Sequence, residues 1–265
     1  MPCPQPPIHN WLALDTSTDS LSLALARGDQ MWSHTSAGGA QASLHTLPQI
    51  QALMAQAGLR YGDLDAVVFG RGPGAFTGLR TACSVSQGLA FGADVPVLPI
   101  DTLLALAEQA RHALSLAATP EVSGVCEDVR VLSVLDARMD QVYVAAYEHT
   151  HGAWRCVQEV ALQSPEGLTW PLHWREGFPF IAAGNAWATY AARWPAAFTA
   201  PQLQALPTAL ALLRLAPQAW AAGLAVPAEQ ALPLYIRDKV AQTTQEREQA
   251  KQQALASDAP ALRVP

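Results

Sequence analysis

The chain has 265 residues, half of them hydrophobic, with a formal net charge of −6 and a sequence pI near 5.6. That length and apolar fraction allow one large or two small domains with a substantial core, and two is the expectation. The acidic balance excludes a broad basic face for gripping a phosphate backbone, so any RNA is expected to be held by another protein.

The opening run Met1-Pro2-Cys3-Pro4-Gln5-Pro6-Pro7 has no Lys or Arg before Arg27, and Asp15 interrupts the apolar stretch after it, so neither a signal peptide nor an anchor is expected. Leu14-Asp15-Thr16-Ser17-Thr18-Asp19-Ser20-Leu21-Ser22-Leu23-Ala24 then reads as a β-hairpin, with Leu21, Leu23 and Leu25 alternating as in a half-buried strand. Residues 40–57 place Leu44, Leu47, Ile50, Gln51 and Met54 on one helical stripe, with Pro48 inside it as a source of bending.

Ala66-Val67-Val68-Phe69 is a buried strand, and Gly70-Arg71-Gly72-Pro73-Gly74-Ala75-Phe76-Thr77-Gly78-Leu79-Arg80 is a tight turn into a helix opening near Thr77, a candidate cap, and running to about Phe91. The turn has no Gly-Lys-Ser/Thr, and Ala75 occupies the last glycine position of a dinucleotide loop, so phosphate binding is a weak reading of it. Gly78, Ala82, Ser86 and Ala90 recur every fourth residue as a seam of small side chains. Such a seam permits close helix approach, either within the protein or to a second molecule.

Pro96-Val97-Leu98-Pro99-Ile100 follows as a strand, and Thr102 to Leu116 as an amphipathic helix with Asp101 as its candidate N-cap. Leu135-Asp136-Ala137-Arg138-Met139-Asp140-Gln141-Val142-Tyr143-Val144-Ala145 repeats the first hairpin: apolar strand, Asp, turn, Asp, alternating strand. Two such hairpins suggest a duplicated α/β architecture with a cleft between the halves. Phe180 to Ala186 reads as a strand ending in a glycine turn before a helix. Pro207, Arg214 and Pro217 break the apolar stretch 203–226, leaving nothing long enough to span a bilayer. The expected organisation is a first lobe at 8–110, a second at 111–205, a helical segment at 206–240 returning toward the first, and loosely ordered tails at 1–7 and 241–265.

Asp15 and Asp136 are the candidates for an acidic pair holding a hydrated divalent ion under nucleotide phosphates, with turn formation as the competing role. The seven histidines include no pair at helical metal spacing, and the four cysteines are scattered as expected of reduced thiols in a cytosolic protein. No Gly-x-Ser-x-Gly elbow is present.

Taken together, Leu12-Ala13-Leu14-Asp15-Thr16-Ser17, the glycine loop continuing to Gln87-Gly88-Leu89-Ala90, Asp136-Ala137-Arg138-Met139 with Val142-Tyr143, and Pro233-Leu234-Tyr235-Ile236-Arg237 resemble the TsaB family of tRNA threonylcarbamoyladenosine synthesis. The resemblance covers residues 11–240 and implies the two-lobed α/β fold of the actin, sugar kinase and Hsp70 group. It also implies a non-catalytic cytoplasmic subunit that supports a TsaD-like paralogue, the transferase acting on N6 of adenosine 37, with a TsaE-like ATPase joining the assembly. The paralogue's His-x-x-x-His metal motif has no counterpart here.

By the same resemblance the chain pairs with itself or with the paralogue, meets tRNA only through the complex, and has no membrane association and no metal or cofactor of its own. ATP or ADP would lie at a subunit interface. Contacts would come from Leu44, Leu47 and Ile50, from the loop Gly72, Pro73, Gly74, from Arg80, and from the seam Gly78, Ala82, Ser86, Ala90. A nucleotide or Mg²⁺ cleft would involve Asp15, Asp136 and Gly184, although Gly184-Asn185 keeps one glycine where nucleotide-binding relatives have two. The rival classes are an ATP-hydrolysing enzyme of this fold and a glycopeptidase-like hydrolase.

Overall fold

The computed structural model describes residues 9–39, 42–117, 128–175 and 180–237, so the expected tails at 1–7 and 241–265 lie outside the described residues. The first sheet comprises β1 (Asn10–Asp15), β2 (Ser20–Arg27), β3 (Gln30–Ala37), β4 (Ala66–Gly72) and β5 (Val97–Asp101), ordered β3-β2-β1-β4-β5. The second comprises β6 (Val129–Arg138), β7 (Gln141–Thr150), β8 (Ala153–Gln163), β9 (Ile181–Gly184) and β10 (Gln202–Gln204), ordered β10-β9-β6-β7-β8. Both sheets start from two consecutive antiparallel pairings and add two parallel strands on the other side of the first strand. The hairpin repeat in the sequence is therefore the opening of a duplicated topology.

Four α-helices complete the described fold: α1 (Ala42–Ala57), which runs through Pro48, α2 (Phe76–Ala93), α3 (Thr102–Ala117) and α4 (Ala209–Ala221). Helices α1 and α2 cover the outer face of the first sheet through Leu12, Leu14, Leu21, Leu23, Leu25, Val67 and Phe69. Its inner face carries Ala13, Ala24, Ala26 and Val68 and joins α3, α4 and the inner face of the second sheet in one core. The alternation of Leu21, Leu23 and Leu25 thus does not separate buried from exposed: β2 is buried on both faces. Large side chains point outward and small ones inward, where α4 approaches so closely that the Ala209 N–H donates to the Ser22 hydroxyl at 2.9 Å.

In the second lobe no α-helix covers the outer face among the described residues. Trp170, Trp174, Phe180, Trp187, Tyr190, Trp194 and Phe198 fill that layer instead, with Trp187 stacked on Phe198 at 5.8 Å. The helix expected after Gly184 is a run of turns, because these rings occupy the volume a helix would take, and Pro195 ends the segment.

Two expected caps are also corrected. Ala75, not Thr77, is the N-cap of α2, and it makes no side-chain cap bond. The Asp101 carboxylate is held by the Arg71 guanidinium at 2.5 Å rather than capping α3. The lobes are joined through α3, where buried Glu108 accepts from Arg111 at 2.8 and 2.9 Å, from Arg214 of α4 at 2.8 Å and from the Trp154 indole of β8 at 3.0 Å. Burial acts to raise the Glu108 pKa, but these bonds outweigh it and hold the carboxyl below its ordinary range. No helix among the described residues is long and apolar enough to cross a membrane.

Candidate functional site

Asp15 ends β1 and is sealed from solvent. Its Oδ1 accepts from the Ser17 N–H at 3.0 Å and the Ser17 hydroxyl at 2.7 Å, while its Oδ2 is buried with no hydrogen-bond partner. Burial pushes the carboxyl pKa up to about 6, against the opposing effect of the two Ser17 bonds. The Oδ2 lies directly beneath Gly70, where a Cβ would stand 1.9 Å from it. Only a residue without a side chain fits at that point.

The rest of the glycine loop is braced the same way. A Cβ on Gly74 would stand 2.5 Å from the Ser17 carbonyl oxygen, which also accepts from the Ala75 N–H at 2.7 Å. A Cβ on Gly78 would stand 1.8 Å from the Thr16 carbonyl oxygen, and the Thr16 hydroxyl donates to the Gly78 carbonyl at 2.7 Å. Gly72 adopts φ 121 and donates to the Thr102 hydroxyl at 3.1 Å, while its neighbour Pro73 is buried. On the far side, the Leu234 N–H donates to the Arg71 carbonyl at 2.6 Å. The loop is held by the chain's own hairpin and returning segment.

Between the lobes lies a cavity of about 80 Å³ lined by Ser17, Asp19, Ala75, Asp136, Tyr143 and Asn185, among others. A neighbouring cavity of about 280 Å³ shares Ala75, Arg138 and Tyr143 with it and extends to Met139 and Arg237. Arg138 spans the smaller one to Asp19 at 2.6 Å. Asp136 lines the cleft and accepts from the Arg138 N–H at 2.8 Å and the Tyr190 hydroxyl at 2.9 Å. Asp15 does not line it, so the two carboxylates are not brought together over one opening. Gly184 serves a close backbone approach, since a Cβ there would stand 1.7 Å from the Val134 carbonyl oxygen. Among the described residues no group of three His, Cys, Asp or Glu side chains could hold a metal ion.

The small-residue seam faces inward. Gly78, Ala82, Ser86 and Ala90 are all buried within the protomer, which rules out their expected role as a contact surface. Ile50 is likewise in the core, whereas Leu44 and Leu47 of α1 are 71% and 46% exposed. The outward row of α2 is Arg80, Ser84, Gly88 and Gly92, beside Phe91 at 82% exposure. A Cβ on Gly88 or Gly92 would meet no atom within 4 Å. This second row of small residues has the same four-residue spacing as the first; the placement of Leu79 and Cys83 beside the buried row is the signal that separates them.

At the N-terminal end of α2 the Arg80 guanidinium lies 3.8 Å over the Phe76 ring and donates to the Tyr235 hydroxyl at 3.2 Å. Arg237 crosses to the second lobe, donating to the carbonyls of Ala137 at 3.1 Å and Arg138 at 3.3 Å and to the Gln141 side chain at 2.7 Å. Sequence reasoning found Arg80 but not its ring partners, nor the bridging roles of Arg138 and Arg237, because those partners are distant in the chain.

A family model described as TsaD, tRNA N6-adenosine threonylcarbamoyltransferase, matches residues 33–247. The chain is 32% identical over 237 residues to the tRNA threonylcarbamoyladenosine biosynthesis protein TsaB of Escherichia coli (strain K12), covering 87% of this chain and 95% of that protein. It is 35% identical over 241 residues to TsaB of Haemophilus influenzae, covering 86% of this chain and 94% of that protein. Among solved structures, a Pseudomonas aeruginosa protein described as similar to the peptidase YEAZ superimposes with a TM-score of 0.77 at 38% identity, covering 87% of this chain and all (100%) of that one.

Proposed function

The chain belongs to the TsaD family as one of its TsaB proteins, and from that premise we propose that it is the non-catalytic, partner-activating subunit of tRNA threonylcarbamoyladenosine formation. Its place is in tRNA threonylcarbamoyladenosine biosynthesis. In the proposed assembly it pairs, through the outward faces of α1 and α2, with a TsaD-like transferase or with a second copy of itself. A TsaE-like ATPase joins that pair, tRNA is met only through the complex, and the work is done in the cytoplasm. Any ATP or ADP sits at a subunit interface rather than between the lobes of this chain.

The observation that carries this reading is the exposure on α1 and α2, where Leu44 and Leu47 of α1 and Phe91 of α2 are exposed apolar side chains and Gly88 and Gly92 of α2 leave open backbone. Exposed apolar side chains on a helix whose backbone a second helix can approach closely are the physical profile of a helix-pair interface. The sealed Asp15, which does not line the interlobe opening that Asp136 lines, favours a supporting rather than a reacting role. Reconstitution tests it: tRNA, the transferase paralogue, the ATPase and threonylcarbamoyl-adenylate are combined with and without this chain, and modified adenosine is counted by nucleoside mass spectrometry. The expected result is modification only when the chain is present; equal yields without it refute the reading.

A further inference from the structure

At the free edge of the first sheet a second cavity, of about 390 Å³, opens between β5, the start of α3 and the end of α4. Pro99, Ile100, Leu104, Leu215, Ala219 and Leu224 make its walls apolar. Three polar side chains reach it: Arg71, Asp101 and Gln218. Gln218 is engaged at both ends of its amide, accepting from the Trp154 N–H at 3.2 Å and donating to the Trp154 carbonyl at 3.1 Å. Arg71 and Asp101 hold each other through one nitrogen and one oxygen, at 2.5 Å, and both are partly exposed. Among the described residues the terminal nitrogens of Arg71 and the Oδ2 of Asp101 have no hydrogen-bond partner.

The neighbouring strand edge does not invite a peptide. Val97 exchanges both backbone hydrogen bonds with Val226, at 2.8 and 2.8 Å, and Pro99 has no N–H to offer. What is left is an apolar chamber of small-molecule size whose unused polar atoms are one cationic donor set and one anionic acceptor, side by side.

We propose that this cavity binds a free α-amino acid with a large apolar side chain. The side chain fills the chamber, the carboxylate takes the terminal N–H groups of Arg71, and the ammonium takes the Asp101 Oδ2. A zwitterion matches both charges; a lone carboxylate is repelled by Asp101 and a lone amine by Arg71, so discrimination against each follows from the same pair.

Isothermal titration of the full chain with L-phenylalanine is the test, with 3-phenylpropionate and 2-phenylethylamine as single-charge controls. Saturable binding at or below about 1 mM is expected, weakening by about tenfold or more for either control. Arg71→Gln is expected to weaken L-phenylalanine binding by about tenfold while the circular dichroism of the fold is retained. Ala222→Trp, at the exposed rim, fills the chamber and is expected to abolish binding. No saturable binding of L-phenylalanine, binding unaffected by Ala222→Trp, or a control that binds as well as the amino acid overturns the proposal.

Discussion

Asp15 gives the sharpest quantitative test of how the site is built. Its carboxyl titrates at about 6 instead of 3.8, because folding removes it from water and leaves one oxygen unpartnered under Gly70. A carboxyl whose pKa is raised on folding favours the native state in its protonated form. The stabilisation is therefore complete below about pH 4 and is lost as pH rises through about 6. A difference of about two pKa units corresponds to about 3 kcal/mol between the acid and neutral ends of that window. The perturbation is Asp15→Asn, which keeps an oxygen for the two Ser17 bonds and cannot ionise. Its extra buried N–H adds a constant offset, so the quantity to read is the change in the stability difference with pH. Urea unfolding of both proteins from about pH 4 to about pH 8 should show the variant gaining roughly 3 kcal/mol relative to wild type across the range. Parallel stability profiles would refute the sealed-carboxylate argument.

The two small-residue rows of α2 predict opposite outcomes for the same substitution. Gly88→Arg, in open space on the outward row, should leave the thermal midpoint near wild type and abolish pairing with the paralogue or a second copy in light scattering; association unchanged by it sinks the proposed interface. Ala82→Arg, in the core, should instead fail to fold, since an unpaired buried charge costs several kcal/mol, about the stability of a domain. Glu108→Ala removes the buried carboxylate that accepts from Arg111, Arg214 and the Trp154 indole between the lobes, and should cost about 3–5 kcal/mol in denaturant unfolding. A loss under about 1 kcal/mol would mean that the network does not join the lobes energetically.

What the sequence carried by itself was local and periodic. The strand-Asp-turn-Asp-strand repeat, the glycine run between an apolar strand and a helix, and the presence of a helix within residues 40–57 were each legible because they depend on neighbours within a few positions, but the single stripe read there is split, with Ile50 and Met54 buried and Leu44, Leu47 and Gln51 exposed. They also carried the family resemblance, since its motifs are those same turns. The tertiary structure decided which side of each element meets the core. Periodicity in α2 yields two rows of small residues with equal spacing, and the packing of Thr16 and Ser17 against Gly78, with Leu79 and Cys83 buried beside it, sets that row inward and leaves Gly88 open. It likewise decided that Asp15 is sealed while Asp136 faces the cleft, although both hold the same place in their hairpins. Arg138 finds Asp19 across 119 residues, and aromatic rings replace helices on the second sheet. Those outcomes depend on which surfaces fill the same volume, and contacts of that kind leave no period in the chain for a reader to find.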